Sequence, residues 1–340
     1  MKNSHIKILT IVILVCLTLI GSAASFHSPA YAAPERTSLL RFSFGTAGLG
    51  GNFYVLGTAL CQLFNKNIPM VEFTPEVTGG SGVNVGLTHK NDVQVSLCTN
   101  VAAYNGYNGK GWVEGDPMPD VRTVAGLMPA ALELYVLASS NIHTIQDYNG
   151  KIFSAATTGG GGDMGAHDLL PTLGIKVKQK QDMTLPDVNS NLIDGLLDCA
   201  MDFATFPHAS RLELEASAKI RFIELSAAER KLMCDTFPYY VDGVMPAGTY
   251  RDIPPEGYKT IMSPNLMICH KDVPEDVVYD MLKVMFEGMD VLKLSSNAFS
   301  NVVKESVLDA AIPLHPGAIR YFKEIGYTIP DKLIPEGYVK

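Results

Sequence analysis

An apolar, strand-like run that ends in a glycine-rich turn and opens a helix occurs three times in the first half of this chain. The turns are Gly45-Thr46-Ala47-Gly48-Leu49-Gly50-Gly51-Asn52, Thr78-Gly79-Gly80-Ser81-Gly82 and Thr157-Thr158-Gly159-Gly160-Gly161-Gly162-Asp163. Strands alternating with helices in this way restrict the chain to α/β architectures with parallel strands. In open sheets of that kind, ligands sit beyond the carboxyl ends of the strands, where these turns fall. A helix N-terminus carries unpaired N–H groups and the positive end of the helix dipole, and glycine lets a ligand approach that backbone closely. Three such turns point to a cleft that holds a small anionic solute by main-chain donors.

The surrounding pattern extends the reading. Strands are expected over Leu39–Gly45, Val71–Val77, Val93–Leu97, Val121–Leu127, Leu132–Ala138, Lys151–Ala155 and Cys199–Phe203. Helices are expected over Phe53–Asn65 and Gly82–His89, and a third after Asp163. Beyond Pro264 the chain turns helical, most clearly in Pro274–Leu294 and Pro316–Ile325. The glycine-rich stretch Asn105–Pro119, which holds the single tryptophan, Trp112, reads as a surface excursion.

The amino terminus indicates export. Lys2 and Lys7 precede the apolar run Ile8–Ile20, and Ala30-Tyr31-Ala32 forms an A-x-A cleavage signal. The run is shorter than the roughly 20 apolar residues that a membrane span needs. The expectation is a signal peptide over residues 1–32, with Cys16 inside it, and a periplasmic mature chain of about 308 residues.

Net charge of −8 argues against nucleic acid or anionic lipid as a partner, because both call for basic patches. Attraction for an anion must therefore be local to the cleft. Cys61, Cys98, Cys199, Cys234 and Cys269 lie in or beside apolar segments without C-x-x-C or metal-like spacing. They read as buried thiols, with one disulfide as the alternative.

Enzyme motifs fail in turn. Phe53 stands where a dinucleotide fingerprint needs its third glycine, and no phosphate-loop G-x-x-x-x-G-K-[ST] occurs. Gly79-Gly80-Ser81-Gly82-Val83 lacks the closing glycine of a nucleophile elbow, so Ser81 reads as a helix cap or ligand donor. Asp187, Asn189 and Asn191 match the first positions of a calcium loop, but Leu192 replaces its required glycine. His167, His208 and His315 have no partner at metal-ligand spacing, and His208 alone is retained as a cleft candidate. Glu133 either forms a local salt bridge or lines the cleft. Among the aromatics Phe53, Tyr54, Tyr104, Phe206, Tyr239 and Tyr240, most pack in the core, and Phe53 or Tyr54 is the candidate cleft wall.

The order of several segments resembles one family. These are Phe44-Gly45-Thr46 with Phe53-Tyr54, Thr78-Gly79-Gly80-Ser81 with Asn84, and Ala102-Ala103-Tyr104 with Gly150-Lys151. Gly195-Leu196-Leu197-Asp198-Cys199-Ala200, Pro246-Ala247-Gly248-Thr249-Tyr250 and Pro313-Leu314-His315-Pro316-Gly317-Ala318 follow. The chain resembles the TAXI family, the extracytoplasmic solute receptors of one class of TRAP transporters, over essentially its whole mature length.

The resemblance implies an α/β periplasmic-binding-protein fold of type II, with two lobes joined by two crossover strands and a ligand cleft between them. The crossovers would be Leu132–Ala138 and Leu266–His270. Lobe I would comprise residues 33–136 plus 266–340, and lobe II residues 137–265. It also implies a monomer that captures a small carboxylate, glutamate-like or a keto or dicarboxylic acid, and delivers it to membrane permease subunits. No catalysis, cofactor or metal is implied. The implied ligand-binding residues are Gly48, Gly51, Asn52, Phe53, Tyr54, Thr78, Gly80, Ser81, Thr99, Asn100, Thr157, Thr158, Gly160, Gly161, Gly162 and Asp163, with His208 added from the residue-level reading. Ala47, Leu49 and Asn52 depart from the family's richer Gly and Thr content. Asp163 would either cap its helix or favour an ammonium in the cleft, and no arginine falls at a cleft position, so a guanidinium clamp is not expected. A sensory ligand-binding protein and, more remotely, a periplasmic hydrolase are the alternatives.

Overall fold

A computed structural model describes residues 36–338 apart from 50, 51 and 159. The expected signal peptide with Cys16, and the glycine at position 51, lie outside the described residues. Among those described, ten strands form one sheet in the order β2-β1-β3-β10-β4-β7-β5-β6, with β9 on β10 and β8 on β4. No described helix is long and apolar enough to cross a membrane.

Chain order begins with β1 (Leu40–Gly45), α1 (Asn52–Asn67), β2 (Val71–Glu76), α2 (Ser81–His89), β3 (Val95–Thr99) and α3 (Asn100–Asn108). β1 lies parallel to both β2 and β3, as the strand–turn–helix repeats require. In α1, Leu56, Leu60, Leu63 and Phe64 recur at helical spacing and form the buried face. The strand β4 (Val121–Leu137) is one continuous run where two were expected. Pro129 interrupts the apolar pattern in the sequence without ending the strand.

Next come β5 (Ile152–Ser154), α4 (Gly161–Thr172), β6 (Gln179–Gln181), α5 (Leu185–Ile193), β7 (Cys199–Thr205), α6 (Ala209–Ser217), β8 (Ile220–Phe222), α7 (Ala227–Thr236) and β9 (Val241–Met245). Asp187, Asn189 and Asn191 fall on helix α5 rather than on a loop. β10 (Tyr258–His270) runs antiparallel to β4 along most of its length. The chain closes with α8 (Glu275–Glu287), α9 (Met289–Ser295) and α10 (Pro316–Glu324). The single helix expected over 274–294 is two helices that meet at Gly288, where an added Cβ would lie 2.8 Å from Leu63 of α1.

The long pair β4–β10 divides the sheet into two halves, each with its own core. One core gathers Phe44, Phe64, Phe73, Leu97, Leu127, Leu266, Leu282 and Phe322. Another gathers Leu132, Leu134, Phe153, Leu169, Met201 and Ile261. Pro129 sits directly opposite Pro264 where the pair passes from one half to the other, and the register shifts immediately after. Neither proline can donate to the ladder, so the central strands lose two ladder donors at this crossing.

The five described cysteines are free thiols, and burial pushes Cys61 up to about 12. The second half buries a charged cluster on the face of β4 and β7 that packs against α6. Glu133 and Arg211 are both fully buried, and Arg211 Nε donates to Glu133 at 3.0 Å. Tyr250 donates to the other Glu133 oxygen at 2.6 Å, and the guanidinium lies 3.3 Å from the centre of the Tyr135 ring. Glu133 therefore forms the local salt bridge of the two options open to it. Burial pushes its carboxyl up to about 7, against the downward pull of Arg211. Glu133→Ala would leave a buried guanidinium with Asp202, 3.9 Å from its Nη2, as its one remaining counter-charge among the described residues, and no hydrogen bond to it. It should cost about 3–5 kcal/mol, read as a lowered urea midpoint in chemical unfolding.

His315, in the Leu-His-Pro-Gly-Ala segment, is a structural cap. Its Nδ1 accepts from the Gly317 N–H at 3.2 Å, which leaves the proton on Nε2 facing the Lys271 carbonyl, also at 3.2 Å. Pro316 occupies the first helical position, where a missing N–H costs nothing. Burial lowers the ring from 6.5 to about 4. The unfolded chain takes the proton more readily, so this contribution is complete above pH 6.5 and is lost as pH falls toward 4. The loss should amount to about 3 kcal/mol, and His315→Asn, which keeps an acceptor for Gly317, should reduce the acid sensitivity of urea unfolding by that amount.

Candidate functional site

Register brings the carboxyl ends of strands from both halves to the proline crossing. Thr99, the last residue of β3, pairs with Asn265, and Thr205, the last residue of β7, pairs with Ala130. The Asn265 side chain joins the two, donating to the Met128 carbonyl at 3.0 Å and to the Thr205 hydroxyl at 3.2 Å. Helix α3, which follows β3 directly, and the loop after β7 must therefore start at this junction.

The first two glycine turns meet there through side-chain bonds. Asn84 donates to the carbonyls of Thr46 and Leu97 at 2.7 and 2.6 Å. Thr78 Oγ1 donates to the Thr46 carbonyl at 3.1 Å and accepts from the Gly80 N–H at 3.2 Å. The Thr99 N–H donates to Ser81 Oγ at 3.1 Å, which sets the start of α2 beside the end of β3. Gly80 adopts φ +91°, a left-handed backbone that favours glycine, and as the cap of α2 has no side chain to bond the first helical N–H groups. Asn52 is exposed at the start of α1, Gly48 is exposed with open space around it, and Tyr54 is half-buried. Phe53 packs against the core of its own half.

The third turn joins from the other side. Helix α4 begins at Gly161, with Gly160 as its cap and no side-chain capping bond. Gly161 and Thr99 line one small cavity of about 20 Å³ at the crossing, together with Met164, Phe203, Tyr240 and Ser263. The glycines here are demanded by helix–strand packing. A Cβ on Gly161 would lie 2.3 Å from the Phe203 carbonyl oxygen, and one on Gly162 would lie 2.6 Å from that of Ala155. Thr158 and Thr157 are exposed and tied outward: Thr158 bonds both oxygens of Asp182 through its N–H and hydroxyl, and Thr157 Oγ1 reaches the Met183 carbonyl at 3.4 Å. Asp163 is buried and paired with Lys180 of β6, and His167 Nε2 lies 3.8 Å away. Its carboxylate serves the second half's own structure.

Two candidates stand differently from their neighbours. Asn100 is fully buried and rivets the chain: its Nδ2 donates to the Asp309 carbonyl at 2.9 Å and the Tyr239 carbonyl at 3.4 Å, and its Oδ1 accepts from Ala311 at 2.9 Å. His208 caps α6, and its N–H donates to Tyr250 at 2.8 Å, beside the Glu133–Arg211 cluster rather than at the cavity. Burial lowers its ring below the usual histidine value.

Aromatic side chains form one wall. Tyr104 of α3 packs on Tyr239 at 5.3 Å, Tyr239 on Tyr240 at 4.7 Å, and Tyr240 on Phe203 at 5.5 Å. Asp168 accepts from Tyr239 and Tyr240 at 2.9 and 2.7 Å, and burial raises its carboxyl above the usual range. Sequence reasoning missed Ser263, Met164 and Phe203 as cavity residues. Pro264, beside Ser263 and inside an apolar strand, was the available signal, because an interior proline marks a break in a ladder.

A helix start without a side-chain cap offers two or three main-chain donors to a negatively charged group. α2 and α4 both do so, each beside Thr99, whereas α3 is capped by Thr99 itself. Among the described residues no cluster of side chains could hold a metal ion.

Comparison with solved structures gives the same fold. A TctC solute-binding protein from Polaromonas, determined without ligand, matches with a TM-score of 0.51 at 11% identity, over 80% of this chain and 89% of that one. A structure described as a periplasmic transporter matches with a TM-score of 0.50 at 13% identity, over 86% of this chain and 94% of that one. The mixed α/β fold, with its curled sheet and flanking helices, is that of periplasmic binding proteins. The NMT1-like family model matches residues 44–326, and this chain belongs to the NMT1-like family.

Proposed function

We propose that this protein is an exported solute receptor that captures a small carboxylate at the β4–β10 crossing and passes it to a membrane transporter without chemical change. The observation that carries this reading is the pair of uncapped helix starts, α2 and α4, set beside Thr99 at the junction of the two halves. Uncapped N–H groups and helix dipoles favour an anion without a cationic side chain. The solute-binding description of the Polaromonas neighbour supports the same reading.

In finer detail, the protein acts as a TAXI-type receptor of a TRAP transporter, monomeric and periplasmic, with its leader removed near Ala32. The two halves of the sheet that the β4–β10 pair joins act as two lobes that close on the solute. The Pro129–Pro264 crossing, where neither residue can donate to the ladder, is where they flex. Gly48, Thr78, Gly80, Ser81, Thr99, Gly160 and Gly161 supply the contacts.

A thermal-shift screen of amino, keto, hydroxy and dicarboxylic acids tests this reading, because a ligand at 100 times its Kd stabilises by about 2.7 kcal/mol. A carboxylate that raises the melting temperature is expected; a flat response across the panel would remove the carboxylate assignment. Ser81→Ala should weaken binding of that ligand by about 1–2 kcal/mol in titration calorimetry. An unchanged dissociation constant would take Ser81 out of the site.

A further inference from the structure

The cavity at the crossing has a chemistry of its own. Val101, Ala130, Met164, Phe203, Tyr240 and Pro264 give it walls of carbon. Its polar side-chain groups are those of Thr99, Asn265, Ser263 and Tyr240, and three of them are engaged, the Tyr240 hydroxyl with Asp168. Thr99 Oγ1 accepts from the Ala102 N–H, and Asn265 is held by Met128 and Thr205. Ser263 Oγ is buried, 3% exposed for the residue as a whole, and has no hydrogen-bond partner among the described residues. An unsatisfied buried hydroxyl is costly unless a bound group completes it. The cavity also abuts Gly161, the first residue of the uncapped helix α4.

We infer that Ser263 is a direct ligand anchor and that the solute is a carboxylate with one charged head and an apolar body. This deepens the receptor reading above and rests on it. The head takes a hydrogen bond from Ser263 Oγ and lies at the start of α4; the body lies against Met164, Phe203 and Tyr240. A second carboxylate has no place along this wall: among the described residues the other polar groups of the cavity, Thr99, Asn265 and the Tyr240 hydroxyl, are engaged, and the start of α2 does not line it. As it stands, the space admits about one water-sized group, so the walls part to admit a solute and re-form around it.

The test is titration calorimetry on the mature protein with a matched panel of four- to six-carbon monocarboxylates and dicarboxylates, each as the parent, 2-amino, 2-hydroxy and 2-oxo acid. The expected result is that the best monocarboxylate binds at least tenfold more tightly than the dicarboxylate of equal length. Ser263→Ala should weaken that monocarboxylate at least tenfold. It should melt no lower than the parent protein without ligand, because the hydroxyl it removes bonds to nothing there. A dicarboxylate that binds as well as or better than its partner overturns the single-headed solute and leaves the carboxylate receptor standing. Unchanged affinity in Ser263→Ala, or a lowered melting temperature with affinity intact, overturns the anchor. If no member of the panel binds, the carboxylate reading falls and this inference falls with it.

Discussion

Two strands that run the length of the sheet, β4 and β10, are the constraint on which everything else depends. Each contributes to both cores, and each carries a proline at the point where it leaves one for the other. Proline removes a ladder donor, so the pair is continuous in direction but loses donors where the two prolines face each other. Because strand pairing has a fixed register, that place also fixes where β3 and β7 end. The site at the junction is thus a consequence of pairing geometry, prior to any particular side chain.

Around the junction the polar groups separate into those that hold the structure and those left available. Asn84, Asn265 and Asn100 spend their amides on backbone carbonyls across long sequence separations. Thr157, Thr158 and Asp163 are turned to the loops and strand of the second half. The starts of α2 and α4, and the hydroxyl of Ser263, are not used in this way. The buried Glu133–Arg211 pair belongs with the structural group. It lies on the α6 face of the sheet, two residues along β4 from Ala131 and one from Leu132, and period-two alternation turns Leu132 to the opposite face from Glu133.

The glycines deserve the same distinction. At Gly80 the backbone conformation requires glycine, and space around it is open. At Gly161 and Gly162 the backbone is ordinary, and the requirement comes from strand carbonyls pressed against the helix. A valine at Gly161 would therefore displace α4 before it obstructed any ligand, so its effect on binding could not be read as a contact. The same glycine-rich signature serves two different physical ends in two turns of one chain.

Much of the local structure was legible in the sequence. Hydrophobic periodicity placed β1, β2, α1 and α2 within a residue or two, since both periods are written directly in which side chains are apolar. The glycine turns marked the carboxyl ends of strands, and Pro316 with Gly317 marked the start of α10. What sequence could not carry was anything that depends on residues distant along the chain. Val121–Leu127 and Leu132–Ala138 read as two strands until pairing with β10, Pro129 opposite Pro264, made them one. Glu133 had no visible partner until helix α6 brought Arg211 to it. Ser263 was one more serine in an apolar stretch until the crossing closed around it. Periodicity reports which face of an element is buried; only the packing of elements decides what that face meets, because contact and burial are properties of pairs and not of single residues.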